Sequence, residues 1–263
     1  MRPRRPMLKA GAQQYLQEGW RIMNKIGTLD EVIDKIQDGA TIMIGGFFAV
    51  GTPIRSIEKL VEKGVKDLTV IAICNANPAG HFDFALLFEN HQIKKFITSH
   101  TGTTPVAIEQ FKNGEVEIEY YPMGNWIEKV RAGGAGLGGV LTPTGVGTFM
   151  EKGKQVINVE GKDYILETPL RAEYAFIKGY RADKMGNVEY RGVSINCNPI
   201  IATAADYVVA EVDEIVEVGA IDPIRVGTPG IFVDKVVQGY THEEHQDIYE
   251  ELWVRAGMLK AAQ

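Results

Sequence analysis

Cysteine is nearly absent: among 263 residues only Cys74 and Cys197 occur, and neither belongs to a Cys-x-x-Cys pair. That excludes a disulfide framework and a cysteine-built zinc site, and both thiols are expected to be reduced and buried. Long apolar runs are missing too. No stretch approaches the roughly 20 residues a helix needs to cross a bilayer, and residues 1–22 lack the apolar segment of a secretory signal. No membrane partner is expected, and the expected location is cytoplasmic. Positive charge is not in excess: the net charge is -6, with no Lys/Arg stripe interleaved with aromatics, so nucleic acid is not an expected partner. Metal ligands at useful spacing are lacking as well. His242 and His245 lie in His-Glu-Glu-His rather than His-Glu-x-x-His, with no companion cluster. They read as the solvated start of the last helix, and no metal is expected.

What is present is a hydrophobic fraction of 45%, enough for a full core. Residues 1–22 open with Arg2, Arg4 and Arg5 and fit nothing downstream, so they read as an extension outside the core. Residues 23–263 read as one domain. Thr28 and Glu31 have capping-box spacing before Leu29, Val32, Ile33 and Ile36, which predicts a helix over 28–37. An apolar strand follows at Ala40–Ile44, then a helix through Ile54, Ile57 and Leu60 to Gly64. The alternation continues with strands at 68–74, 93–98 and 116–121 and helices near 84–88 and 104–112. Residues 155–167 read as a hairpin turning at Glu160-Gly161. Core strands are expected at 174–179, 207–212 and 231–237, and a last helix at 243–256. Alternation of this kind implies an open parallel sheet with right-handed crossovers and ligands at the strands' carboxyl ends.

Two glycine-rich stretches stand out. In Asp38–Pro53 (DGATIMIGGFFAVGTP) the strand runs straight into Gly45-Gly46, two aromatics and Gly51-Thr52-Pro53. Thr52 is expected to cap a helix with Pro53 at its first position, leaving amides outward for an anion or oxyanion. Arg131–Gly147 (RAGGAGLGGVLTPTGVG) is expected to be a long shaped loop of functional kind. Asn75 and Asn77, after an apolar strand, are open between cleft contact and a turn role. Asn196 and Asn198 are open between a turn, a cap and a site. His81 and His100 read as loop histidines, Glu89 as a helix end, and Glu211, Asp213, Glu214 and Glu217 as the solvated face of a surface edge or helix.

The Asp38–Pro53 stretch resembles the N-terminal signature of class I coenzyme A transferase alpha subunits of the acetate/butyrate:acetoacetate type. Asp38, Gly39, Ile42, Met43, Ile44, Gly45, Gly46, Phe47, Gly51 and Pro53 meet each of its defined positions. RAGGAG at Arg131, TPTGVGT at Thr142, ADKMGNV at Ala182 and AEVDEIVEVG at Ala210 look like further landmarks in the same order. The resemblance implies an α/β fold, an α/β/α sandwich around a mainly parallel sheet, and a ping-pong exchange through a glutamyl-CoA thioester. It implies coenzyme A thioester as substrate, no tightly bound cofactor, and a nucleophilic glutamate in a Ser-Glu-Asn-Gly motif of a separate beta subunit. No such motif occurs here: Phe88-Glu89-Asn90-His91 lacks the glycine. No catalytic residue is therefore expected in this chain, which would be inactive alone and form αβ or α2β2 assemblies.

By the same resemblance Gly45, Gly46 and Phe47 line the cleft, and the glycines Gly133, Gly134 and Gly136 shape a neighbouring wall. Where the family has Pro-Gln-Gly-Thr, with the Gln an oxyanion donor, this chain has Pro122-Met123-Gly124-Asn125. Met123 cannot donate such a bond, so either the partner's amides serve, or Asn125 substitutes, or the chemistry differs. The alternatives are an acyl-CoA hydrolase or decarboxylase relative on the same fold, and a non-catalytic binding protein.

Overall fold

The structure is a computed structural model that describes residues 24–74, 80–101 and 104–260. The expected extension at 1–22, and Asn75 and Asn77, lie outside the described residues.

Thr28 and Glu31 form the capping box in both directions, opening helix α1 (Leu29–Ile33), shorter than the periodicity predicts. Strand β1 (Thr41–Ile44) follows. Alternation of side chains along a strand sends Ile42 and Ile44 into one apolar cluster and Met43 into another. The sheet is thus covered on both faces, which explains why its strands read as unbroken apolar runs. Helix α2 (Ile54–Lys63) crosses to β2 (Leu68–Ile71), α3 (Ala85–Glu89) to β3 (Ile93–Thr98), and α4 (Pro105–Lys112) to β4 (Glu117–Tyr120). All of these pairings are parallel.

Beyond β4 comes α5 (Met123–Ala135), then β5 (Val140–Thr142), β6 (Val156–Val159) and β7 (Lys162–Glu167). Strands β5, β7 and β6 form a small antiparallel sheet. The hairpin turn falls at Glu160 and Gly161 as predicted, both with positive φ. The main sheet resumes with β8 (Ala172–Asp183) and β9 (Val188–Glu189). Helix α6 (Asn198–Ile201), β10 (Ala205–Val216), β11 (Val226–Thr228), β12 (Lys235–Gln238) and α7 (His242–Arg255) complete the chain.

Strand β8 is the hinge of the topology. It pairs in parallel with β1 on one side and with β10 on the other, and β12 lies beyond β10. The parallel order is therefore β12-β10-β8-β1-β2-β3-β4, with antiparallel β9 continuing along β8 where β1 stops. The order reverses between β1 and β8, and at such a switch point the connections part and leave a crevice at the carboxyl ends. Helices α1 to α4 bury their apolar sides with Ile42, Val70 and Phe96 on one face. Trp126 and Val130 of α5 and Ile201 of α6 cover the other with Met43, Ile71 and Ile177.

The expected loop at Arg131–Gly147 is not one. Its first third is the end of α5, closed by Gly136 in the left-handed region (φ 69°), and Val140–Thr142 is a strand. Glycine density misled because α5 needs small residues where it is pressed. A Cβ at Gly133 would meet the Leu170 carbonyl at 2.0 Å, and one at Gly134 the Thr203 Oγ1 at 1.9 Å.

Candidate functional site

The switch point holds the loop Gly45–Gly51 at the end of β1. The Gly45 amide donates to the Phe176 carbonyl (2.9 Å), and Phe47 and Val50 exchange two backbone bonds of 3.0 Å. Between them Phe48 and Ala49 have φ of 49° and 70°. This is a mirror-image two-residue turn that normally takes Asn-Gly, and each non-glycine residue held there costs on the order of 1–2 kcal/mol. Gly46 has φ 112°, and a Cβ there would lie 1.9 Å from Thr52 Oγ1; at Gly45 it would lie 1.8 Å from Asn198 Oδ1. Only glycine fits either position.

Distant groups hold this strained turn. The Phe48 amide donates to Cys74 Sγ (3.3 Å), and the Phe48 ring meets Phe47 and His100 edge-on. Asn196 Nδ2 donates to the Val50 carbonyl (2.9 Å). Asn198, fully buried, donates to the Gly51 and Ser194 carbonyls and accepts from the Lys178 amide. The Tyr249 hydroxyl of α7 donates to the Ala49 carbonyl, and Ala49 packs with Ile54, Phe82 and Leu252. Asn196 and Asn198, left open between a turn, a cap and a site, brace the loop, a role none of those readings named.

Two expectations about this stretch are corrected. Thr52 does not cap the helix: α2 begins at Ile54 with Pro53 before it and no side-chain cap, and the buried Thr52 Oγ1 has no hydrogen-bond partner. Nor are the helix amides turned outward. The carboxylate of Glu211, fully buried on β10, accepts from the Ser56 amide (2.8 Å), Ser56 Oγ (2.7 Å) and the Arg55 amide (3.3 Å). The positive end of α2 is thus satisfied by an internal anion. The acidic run is corrected with it. Glu214 and Glu217 face solvent as expected, but Glu211 and Asp213 point into the molecule, because the start of α2 packs over Glu211 and α7 over Asp213.

Asp213 is the second interior carboxylate. It pairs with Lys178 and accepts from His245 Nδ1 (3.2 Å), all three side chains being at most 10% exposed. Burial pushes the carboxyl up, but the His245 bond and the Lys178 charge outweigh burial and hold it below the ordinary carboxylate value. The reading of His242 and His245 as a solvated helix start is therefore corrected. His245 is buried between the rings of Tyr240 and Tyr249, and both histidines line a cavity. Among the described residues no cluster could hold a metal ion.

That cavity, about 480 Å³, lies between α7 and the carboxyl ends of β8 and β10, beside the loop at Val50 and Gly51. Its size is in the range of small-ligand sites. Met123 and Gly124 lie elsewhere, in the first turn of α5 after edge strand β4. Strand β4 is three strands from β1 in the sheet order, and neither residue lines the cavity. Asn125 is not a free donor: it is buried and bonds the Thr144 carbonyl and Glu167 while accepting from Thr142. With Lys129 and Lys154 on the same Glu167, it ties the small sheet to α5. Gly133 and Gly134 pack against Leu170 and Thr203, and none of Gly133, Gly134 and Gly136 lines the cavity. The thiols are inert, burial pushing Cys74 up to about 11 and Cys197 up to about 12. His81 is exposed and pairs with Glu89.

A parallel sheet with a reversed strand order, a strained loop at the reversal and a ligand-sized cavity beside it define a small-molecule protein of the α/β switch-point class. The coenzyme A transferase family model matches residues 26–239. The alpha subunit of an acetate CoA-transferase from Escherichia coli (strain K12) is 45% identical over 215 residues, covering 81% of this chain and 96% of that protein. A 3-oxoadipate CoA-transferase subunit from Acinetobacter baylyi is 44% identical over 214 residues, covering 80% and 92%. Among solved structures, an acyl-CoA transferase from Escherichia coli O157:H7 matches with a TM-score of 0.76 at 20% identity, covering 82% of this chain and 47% of that one. The chain belongs to the coenzyme A transferase family. Among the described residues no helix is long and apolar enough to cross a membrane.

Proposed function

We propose that the chain is the alpha-type subunit of an acyl-CoA:carboxylate CoA-transferase that moves coenzyme A between a short-chain acyl-CoA and a small carboxylate or 3-oxoacid. One observation carries the reading: the whole signature stretch, matched in sequence, forms a strained loop at the switch point of the sheet. Strain of this kind is kept where a fixed shape is needed. The chain has no Ser-Glu-Asn-Gly motif, and relatives of 45% and 40% identity are named as alpha subunits. The nucleophilic glutamate accordingly belongs to a beta subunit in an αβ or α2β2 assembly in the cytoplasm, and the coenzyme A thioester is substrate, with no tightly bound cofactor.

Within that assembly Gly45, Gly46 and Phe47 form one wall of the cleft. Their role is to hold shape more than to donate, since the Gly45, Phe47 and Phe48 amides are already bonded inside the chain. Relatives named for acetate and for 3-oxoadipate are almost equally similar, so identity does not rank the acid. The chain and its partner, incubated with labelled acyl-CoA and a second acid, should move coenzyme A onto the second acid. Release of free coenzyme A or carbon dioxide alone would replace the proposal with a hydrolase or decarboxylase.

A further inference from the structure

Strand β11 ends the sheet beyond β9, so its outer edge has no neighbour among the described residues. An open edge is a template for another chain unless it is covered or charged. Here bare isoleucines flank it: Ile224, in the 3₁₀ turn Pro223–Arg225 before it, is 89% exposed, and Ile231, three residues past its end, is 84% exposed. The antiparallel register sets Val226 opposite Glu189. Carried two residues further, it puts Ile224 beside Arg191, at the 3₁₀ turn Gly192–Ile195 that follows β9. That turn adds Val193, 81% exposed, and Ile195, also exposed. A Cβ on Gly227 would come within 2.6 Å of the Tyr190 ring and 3.5 Å of Ile195 Cδ1, so the turn folds over β11. Val193, Ile195 and Ile224 therefore form one apolar patch at the strand's edge, the kind of surface that marks an interaction site.

The patch is continuous with the loop after β1. A Cβ on Gly51 would lie 2.3 Å from the Ser194 carbonyl, and Asn198, which braces Gly51, donates to that same carbonyl (3.0 Å). A chain seated on Gly192–Ile195 thus reaches the loop that carries Gly45, Gly46 and Phe47. A second copy of this chain is a poor occupant, because a two-fold contact sets each patch against itself. The patch is rimmed by guanidinium groups. Arg225 shares the buried Glu189 carboxylate with Arg181, while Arg191 donates to His242 and pairs with no carboxylate among the described residues. The nearby Asp222 is engaged in its own turn, accepting from the Ile224 amide. Like charges opposed across an interface cost affinity, whereas an acidic rim on a different chain gains it.

We infer that the β11 edge, with Val193, Ile195 and Ile224 at its centre and Arg191 and Arg225 at its rim, is the surface on which the beta subunit seats. The inference rests on the two-subunit function proposed above, and it assigns the face through which that partner approaches the loop after β1.

Calorimetric titration and sedimentation velocity of the full chain with a beta subunit carrying the Ser-Glu-Asn-Gly glutamate test it. Val193→Asp and Ile224→Asp, at bare positions, should leave the melting point of the chain unchanged. Each should weaken association at least about tenfold, and the two together at least about a hundredfold. Phe149→Asp, equally bare but in the separate turn Phe149–Glu151, should leave it unchanged. Undiminished affinity in the double variant would overturn the inference, and coenzyme A transfer by that same mixture would leave the proposed function standing. A wild-type complex that is weakened by the double variant but transfers no coenzyme A would support the inference and overturn the function. Equal weakening by Phe149→Asp, or self-association of the wild-type chain that the double variant abolishes, would also overturn the inference.

Discussion

The glycine loop after β1 and the stretch Arg131–Gly147 look alike in sequence, yet the first is a strained turn held by distant side chains and the second a helix end pressed against neighbouring chain. In the loop, glycine is required at Gly45 and Gly46 because Asn198 and Thr52 come too close, and Phe48 and Ala49 bear left-handed backbone without being glycine. In α5, Gly133 and Gly134 permit close packing against Leu170 and Thr203, and Gly136 closes the helix. Glycine content alone does not mark a site. The proposed cleft rests instead on a strained conformation held by distant side chains at a switch point.

The comparison breaks most sharply at Glu211. Removing its carboxylate by Glu211→Ala strips partners from two amides and a hydroxyl at the start of α2, a cost of about 4 kcal/mol in denaturant unfolding. Glu217→Ala, on the exposed part of the same acidic run, should stay within about 0.5 kcal/mol. Next in size, Gly133→Val drives a side chain into the Leu170 carbonyl and should cost about 3 kcal/mol. Gly46→Val is equally disruptive by geometry, so it reports on folding rather than turnover; Phe47→Ala, at a half-buried ring, is the cleaner probe of the loop in a reconstituted enzyme.

Smaller effects sharpen the contrast. Gly136→Ala meets open space but keeps a left-handed backbone, so about 1 kcal/mol is expected. Tyr249→Phe removes the hydroxyl that holds Ala49, also about 1 kcal/mol. Hydrogen exchange should accelerate at residues 47–50 while the α5 terminus is unaffected. Asp213 is held below its ordinary value of 3.8. Its stabilising contribution is present above that value and is lost as pH falls through the lower folded value. Asp213→Asn should remove this part of the acid sensitivity in a pH series of melting temperatures.

What the sequence made legible was local. The capping box at Thr28 and Glu31, β3 at Ile93–Thr98, α4 from Pro105 to Lys112 and the Glu160-Gly161 turn all rest on residues a few positions apart. The signature stretch was legible as strand, loop and helix for the same reason. What stayed hidden was long-range. Glu211 satisfies a helix start some 155 residues earlier, so Thr52 read as the cap. Tyr249 reaches back to Ala49, and His245 is buried because α7 folds over the strand ends. No local pattern at His242 or Glu211 signals a partner brought near only by the sheet. The one sequence cue was the alternation of Glu211, Asp213, Glu214 and Glu217 with Val212, Ile215, Val216 and Val218, which read as the solvated face of a surface edge or helix because the partners of Glu211 and Asp213, on α2 and α7, are distant or later in the chain.

The most direct measurement of the central claim is transfer of coenzyme A assayed with this chain alone, with a beta subunit carrying the Ser-Glu-Asn-Gly glutamate alone, and with the two together. Turnover is expected only in the mixture, with the thioester label on the beta chain. Turnover by this chain alone, or full activity of the beta chain without it, would contradict the claim.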